Sequence, residues 1–217
     1  CLGIWDADKD GYITEEEAAV QQVINAGTFA NNTRIVSFNE FKWLNFTTSS
    51  NNLFTGCTSL QSIELPENRN IRYQYFYGCV SLERCIIGNG CNTISKQAFY
   101  NCEALKEISI PDTVTTIEPS AFSGTGISEF VYPPYVTAIS GLGDMPRLTR
   151  VEIGENAVSV TGMGNSPLLK TLIIRTETPP STDYWTLLNA PRIPDIYVPD
   201  NAVNAYKTSN GWRKWAA

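Results

Sequence analysis

Short stretches in which apolar and polar residues alternate recur at nearly equal distances through most of the chain. The first reads LQSIELP from Leu60, and the next reads LERCIIG from Leu82. The frame returns at steps of 22, 23, 22, 21 and 21 residues. The six frames begin at Leu60, Leu82, Leu105, Ile127, Leu148 and Leu169. Such alternation predicts a short strand with one buried face, ended in most frames by Pro or Gly.

A repeat of this length predicts a solenoid, because no single unit can bury its own apolar edge and each must stack on its neighbours. We therefore predict an α/β solenoid of about six coils over residues 53–195, dominated by strands that form a parallel sheet. Residues 1–52 are predicted to form a small helical cap at one end. Residues 196–217 are predicted to cap the other end, with a short helix around 202–207.

Aromatic residues mark the other half of each unit and predict the rest of the core. They are Phe54, Phe76, Phe99 and Phe122, with Ile94 and Ile117 five residues before the last two. In the fifth and sixth coils Leu142 and Met163 take the place of Phe between two glycines. Beyond the last coil, Tyr206, Trp212 and Trp215 are predicted to cover its exposed end.

The residues on either side of the central apolar residue of each strand are predicted to face outward. They form one column of Ser62, Arg84, Glu107, Glu129, Arg150 and Thr171, and a second of Glu64, Ile86, Ser109, Val131, Glu152 and Ile173. Opposite charges in the first column suit either cross-strand pairing or recognition of a ligand. Apolar residues in the second column suit contact with a partner. The candidate partner-binding residues are Arg84, Ile86, Glu107, Val131, Arg150 and Ile173.

Near the start, the segment DADKDGYITEEE from Asp6 to Glu17 matches the twelve-residue calcium loop at every position. Gly11 allows the sharp bend at the sixth position of the loop, because glycine has no Cβ and adopts backbone conformations that other residues avoid. The predicted ligands of a structural calcium ion are Asp6, Asp8, Asp10, the carbonyl of Tyr12, Thr14 through a water, and both carboxylate oxygens of Glu17. The alternative is an acidic, solvated turn before a helix. A short helix is predicted directly after the loop, ending at Gly27.

Composition excludes several classes of function. The net charge of −6, with no cluster of Lys or Arg, argues against binding to nucleic acid. No apolar run is long enough to predict a membrane-spanning helix. Histidine is absent, which removes the commonest general base and metal ligand. No Ser or Cys therefore has a His partner, and we expect no catalytic activity.

The cysteines are predicted to be free thiols in the core. Cys57, Cys79 and Cys102 each stand three residues after the Phe of their coil, while Cys85 and Cys91 replace apolar residues of other coils. Stacked coils about 4.8 Å apart would hold such side chains with parallel Cβ vectors, a poor geometry for a disulfide. Disulfides between coils are the alternative.

The repeats resemble the BspA-like leucine-rich repeats of bacterial surface proteins. The resemblance rests on units such as FTGCTSLQSIELP and AFYNCEALKEISIP, and it is closest between Leu53 and Pro133. The calcium-loop segment and the ending VPDNAVNAYKTSNGW also resemble the caps of such proteins. The resemblance implies export to the cell surface or the extracellular space, often on a lipid anchor. Cys1 is a candidate for the anchor, but the residues around it fit the entry to the calcium loop equally well. It also implies adhesion to host matrix proteins or other cells.

Two functions follow as expectations. The first is a non-catalytic cell-surface or secreted protein-interaction module, with a host extracellular matrix protein as one possible ligand. The second is a carbohydrate-binding or docking accessory module of a larger surface assembly. A dockerin would need two calcium loops, and the sequence contains a single one.

Overall fold

The structure is a computed structural model, and it describes residues 14–20, 28–44, 50–183, 186–187 and 193–215. Its α-helices are α1 (Glu15–Val20) and α2 (Val203–Thr208), and its 3-10 helices cover Asn39–Trp43 and Asp200–Ala202. The strands are β1 (Ser37–Phe38), β2 (Ser62–Glu64), β3 (Arg84–Ile86), β4 (Thr93–Ile94), β5 (Glu107–Ser109), β6 (Thr116–Ile117), β7 (Glu129–Val131), β8 (Ala138–Ile139), β9 (Arg150–Ile153), β10 (Ser159–Val160), β11 (Thr171–Ile174), β12 (Ser181–Thr182) and β13 (Asp195–Tyr197).

The repeated frames form parallel strands in register, which confirms the predicted solenoid. Ser62 pairs with Arg84, and Arg84 pairs with Glu107, so residues at the same repeat position form a column. The strand row contains eight strands within the described residues, β1, β2, β3, β5, β7, β9, β11 and β13, where the sequence predicted six. The extra strands β1 and β13 come from the segments that flank the predicted coils.

The strand row differs from the prediction of one continuous sheet. It consists of a four-stranded sheet in the order β1-β2-β3-β5 and another in the order β13-β11-β9-β7. No ladder joins β5 to β7 within the part of the chain that the structure describes. A second row of two-residue strands is divided at the same junction, into β4-β6 and β12-β10-β8.

The core is a column of stacked rings behind the sheet. Phe54 stacks on Phe76 with ring centroids 5.2 Å apart, Phe76 on Phe99 at 5.1 Å, and Phe99 on Phe122 at 5.3 Å. Phe29 extends the column by one ring, 5.0 Å from Phe54. Leu142 and Met163 are buried at the same position of later coils, as predicted. Because each ring buries a large apolar surface, the column contributes substantially to stability.

The cysteines of the described residues are free and buried, as predicted. The three thiols at the shared repeat position donate hydrogen bonds between coils: Cys57 to Phe29 O at 2.9 Å, Cys79 to Phe54 O at 3.0 Å, and Cys102 to Phe76 O at 3.1 Å. Each thiol thus satisfies a buried carbonyl of the preceding coil. Burial raises the pKa of Cys102, so the neutral thiol is the stable form.

The C-terminal segment contains the predicted short helix, α2. Helix α2 carries Tyr206 over the last coil, where its hydroxyl lies 2.6 Å from Thr176 Oγ1. The buried indole of Trp212 packs edge-on against Tyr206 at 5.6 Å and donates a hydrogen bond to Pro180 O at 2.7 Å. Trp215 packs against Trp212 at 5.4 Å. The apolar end of the solenoid is therefore covered by aromatic side chains.

At the N-terminal end, helix α1 begins after Thr14. Ala18 is fully buried, whereas Val20 is 78% exposed. Both residues are apolar, but residues two positions apart point to opposite sides of a helix. The predicted continuation of the helix to Gly27 lies outside the described residues.

Candidate ligand-binding surface

The outward-facing residues of the strands form the two predicted columns. In the first column Arg84 and Glu107 stand opposite each other in register, yet no ion pair within 4.0 Å joins them. Glu129 and Arg150 do approach, with 3.9 Å between Oε2 and Nη1. Arg84 and Glu107 are therefore not engaged with each other and are available to a ligand, whereas Glu129 and Arg150 are in contact.

Arg150 pairs more closely with Glu152, on its own strand, than with Glu129. Glu152 also accepts hydrogen bonds from Nε and Nη2 of Arg175, at 2.8 and 2.6 Å. The bonds from Arg175, with a further contribution from Arg150, lower the pKa of Glu152. This part of the surface is thus a closed ion-pair network rather than a free charge.

An open cleft of about 700 Å³ lies where the two sheets separate. Strand β5 forms one wall and β7 the other, and β3 contributes residues beside β5. Ile108 and Ile110, which occupy core positions of the repeat, are only partly buried here. Their equivalents Val151 and Ile153 on β9 are fully buried. The separation of the sheets therefore exposes apolar surface that other coils keep inside.

The walls of the cleft also carry unpaired backbone groups. On β5, Glu107 faces β3, since its N–H donates to Glu83 O at 3.4 Å. Because backbone groups alternate sides along a strand, those of Ile108 and Ile110 face the cleft.

The same argument applies to β7. The N–H of Tyr132 donates to Glu152 O at 3.0 Å, so the backbone groups of Glu129 and Val131 face the opposite way, into the cleft. Within the described residues, the cleft-facing N–H groups of Ile108, Ile110, Glu129 and Val131 have no hydrogen-bond partner. The cleft is therefore bounded by two open strand edges.

The opening does not extend to the aromatic side of the solenoid. On the aromatic side the same two coils remain hydrogen-bonded, from Phe99 N to Ala121 O at 2.8 Å and from Asn101 N to Ser123 O at 2.9 Å. Gly126 packs so closely that an added Cβ would lie 2.5 Å from Glu103 O. The two coils thus form a wedge that is closed behind and open in front.

Two features of the fourth coil oppose closure of the sheet. In the register of the other strands, Glu107 would stand directly opposite Glu129, and like charges in that position are destabilising. In addition, Phe130 and Tyr132 occupy interior positions that hold smaller side chains in neighbouring coils, and their rings lie 4.9 Å apart. The hydroxyl of Tyr132 is anchored to Ser140 O at 2.6 Å. Charge and bulk together keep β7 away from β5.

The structure places the predicted partner-binding residues in two groups. Arg84, Ile86, Glu107 and Val131 all line the cleft. Arg150 and Ile173 lie outside it, on β9 and β11. Four of the six candidates therefore share one site that the sequence did not predict as a cleft.

Several residues of the cleft were not among the predicted binding residues, because they lie outside the two outward columns. These are Lys106, Ile108, Ile110, Asp112, Phe130, Tyr132, Pro133 and Pro134. Two signals pointed to them: successive glutamates in one column, and an aromatic pair in a frame otherwise filled by smaller apolar residues.

Of the predicted calcium ligands, Asp6, Asp8, Asp10 and Tyr12 lie outside the described residues. Thr14 and Glu17 are described, and they contact each other at the start of α1. Glu17 Oε2 accepts hydrogen bonds from Thr14 N at 2.9 Å and from Thr14 Oγ1 at 3.0 Å. Thr14 Oγ1 in turn accepts from Glu17 N at 3.2 Å. This capping box turns the Glu17 carboxylate back toward the end of the loop and stabilises the helix start.

Within the described part of the chain, no helix has the length and hydrophobicity needed to cross a membrane.

Comparison with known structures supports the fold. A leucine-rich repeat protein from Bacteroides ovatus aligns over 61% of this chain with 25% identity and a TM-score of 0.56. The chain spans only 38% of the length of that protein. A leucine-rich repeat protein from T. pallidum aligns over 68% of this chain and 73% of its own length, with 21% identity and a TM-score of 0.58. No curated protein matches the sequence.

The sequence profile described as the BspA type leucine rich repeat region matches residues 22–142 in six copies. The match covers more than half of the chain and includes both walls of the cleft. It agrees with the repeat frame, the parallel strand row and the stacked phenylalanine column. The chain therefore belongs to the BspA-type leucine-rich repeat family.

Proposed function

We propose that the protein is a non-catalytic interaction module at the bacterial cell surface or outside the cell, and that it adheres to host matrix proteins or to other cells. Proteins of this family are bacterial surface proteins, and leucine-rich repeats typically bind proteins without catalysis. A lipid anchor is a prediction from the resemblance.

One observation carries the proposal. The outward columns of β2, β3, β5, β7, β9 and β11 form a repeated surface of charged and apolar side chains, interrupted by a cleft in its middle. Val131, beside the cleft, is 58% exposed, and Ile86 and Ile173 of the same column are partly exposed. Exposed apolar residues among charges are typical of a contact surface for another protein.

A binding array tests this proposal. The full chain is applied to immobilised extracellular matrix proteins and glycans, beside the double variant Arg84→Glu/Arg150→Glu. We expect binding to at least one matrix protein and a loss of at least tenfold in the double variant, because two charges of the contact surface are reversed.

The matched control is Arg72→Glu/Lys96→Glu, which makes the same change of charge at exposed residues outside the strand row. This control should bind like the unaltered chain. If the strand-row variant binds as well as the control, the ligand contacts another surface. Binding to glycans alone would favour the accessory carbohydrate-binding function.

A structural calcium ion in the N-terminal loop is a second part of the proposal. The acidic sequence of the loop has oxygen-bearing side chains at the spacing that calcium requires, and the capping contact with Thr14 orients Glu17, the proposed last ligand. The ion would tie the loop to α1, whose Ala18 packs in the core.

Chelation provides the test of the calcium site. Calcium in hundredfold excess over its dissociation constant should stabilise the folded chain by about 2.7 kcal/mol, and excess chelator should remove that gain. The measurement is the unfolding midpoint with and without chelator. Asp10→Ala should abolish the response and Glu155→Ala, at an exposed carboxylate outside the loop, should keep it. Equal responses in the two variants would contradict the calcium site.

A further inference from the structure

We propose that the cleft between β5 and β7 binds an extended peptide segment of a partner protein, one that carries basic side chains and pairs with the open strand edges. This inference rests on the proposed interaction function and names the kind of segment that the surface recognises. Three independent properties of the cleft support it: its backbone edges, its charge and its apolar lining.

The backbone edges favour a peptide over other ligands. The N–H groups of Ile108, Ile110, Glu129 and Val131 point into the cleft without hydrogen-bond partners. On each strand these N–H groups belong to every second residue, as in a parallel ladder, so the carbonyls of an added strand can accept their hydrogen bonds. Pairing of this kind is a common way for proteins to bind extended segments. The two edges face each other, and an extended segment carries donors and acceptors on both of its sides.

The charges of the cleft favour a basic segment. Glu129 is the charged residue that β7 contributes, and its side chain is 64% exposed. The opposite wall contributes Glu107 and Asp112 together with Lys106. Carboxylates therefore stand on both sides of the cleft, whereas the cationic side chains Arg84 and Lys106 stand on one side. A lysine or arginine of the segment would lie between Glu107 and Glu129 and relieve their repulsion.

The apolar lining favours a segment in which alternate side chains are apolar. Ile108 and Ile110 are partly buried in one wall, and Val131 is exposed at the other. In an extended segment, side chains point alternately to opposite faces. One face would cover the isoleucines while the other presents basic residues to the rim. An alternating basic and β-branched sequence therefore fits the cleft.

The first test is direct binding of a defined peptide to the full chain. The probe is a fluorescein-labelled octapeptide of alternating valine and lysine, and the comparison peptide alternates valine and glutamate. Fluorescence anisotropy should show saturable binding of the lysine peptide, at least tenfold tighter than the glutamate peptide. Glu107→Lys/Glu129→Lys should weaken the binding at least tenfold, and Glu103→Lys/Glu155→Lys should not. Equal affinity for the two peptides would overturn the proposal.

The second test isolates the backbone edge. Val131→Pro removes a cleft-facing N–H without removing a bond to β9, whereas Val131→Ala loses the side chain but keeps that N–H. We expect the proline variant to bind the lysine peptide about three- to tenfold more weakly than the alanine variant. Equal binding by the two variants would show that the edge is not used.

Hydrogen exchange gives the third test without any substitution. The amides of Ile108, Ile110, Glu129 and Val131 should exchange rapidly in the free chain and at least tenfold more slowly with saturating lysine peptide. Slow exchange in the free chain would mean that the sheet is closed, and it would overturn the proposal.

The outcomes of the peptide and array experiments can be told apart. Binding of the lysine peptide, with no binding to any matrix protein on the array, would support the cleft proposal and contradict adhesion to matrix. Binding to a matrix protein on the array, with no protection of these amides by the peptide, would support adhesion and contradict the cleft proposal.

Discussion

Replacing Phe76 by alanine is expected to lower the free energy of unfolding by about 3–5 kcal/mol. Phe76 is fully buried in the middle of the ring column, stacked between Phe54 at 5.2 Å and Phe99 at 5.1 Å. The substitution removes the ring and both stacking contacts, and the rigid coils on either side cannot collapse to fill the space. Urea unfolding at constant temperature measures the effect.

Two further variants control this experiment. Phe76→Leu places in the second coil the residue type found at Leu142 in the fifth, and it should cost less than half as much as alanine because most of the volume is kept. Tyr135→Ala removes an aromatic side chain that is 62% exposed and should change stability by about 0.5 kcal/mol or less. If Phe76→Ala proves as mild as Tyr135→Ala, the ring column is not the stabilising core.

Trp212→Ala is expected to have a comparable effect, about 3–5 kcal/mol, concentrated at the C-terminal end of the solenoid. The indole is buried, packs against Tyr206 and Trp215, and satisfies the carbonyl of Pro180 at 2.7 Å. Its loss uncovers the last coil and leaves a buried acceptor unpaired. Because each coil of a solenoid contacts only its neighbours, the damage should stay near this end.

Hydrogen exchange followed by mass spectrometry can locate the damage. Amides of β11 and β13 should lose protection in Trp212→Ala, while those of β2 and β3 keep it, and the variant should aggregate more readily through the uncovered end. Trp43→Ala is the control, since Trp43 is 37% exposed and lies at the other end. An even loss of protection along the chain would contradict a local capping role for Trp212.

The sequence predicted most of the fold because its signals are local and repeated. The alternation around Ile63 and Leu172 predicts strands, and the recurrence of Phe54 and Phe76 at one frame position predicts a stacked column. The strands β1 and β13 were missed for a definable reason. Ser37 pairs with Ser62, 25 residues later, a step longer than those within the repeat. A periodicity search limited to the regular step excludes such a strand.

The candidate site could be predicted only in part. Exposed residues such as Arg84 and Val131 follow from the alternation of side chains along a strand, and both line the cleft. The cleft itself does not follow, because the frame of Ile108 is the same as that of Ile63. Ile108 is partly buried at the cleft and Ile63 is in the closed core, although the sequences around them are similar.

The sequence by itself determined the repeat frame, the residues that fill the core, the cap of aromatic residues and the side chains that face outward. All four features depend on the spacing of apolar residues along the chain, which can be read from the sequence. Only the tertiary structure decided whether neighbouring coils pair along their whole length. That outcome depends on how Glu107 meets Glu129 and how the rings of Phe130 and Tyr132 fit between coils. Such contacts join residues more than 20 positions apart. Their balance of repulsion, packing and hydrogen bonding is a property of the assembled solenoid.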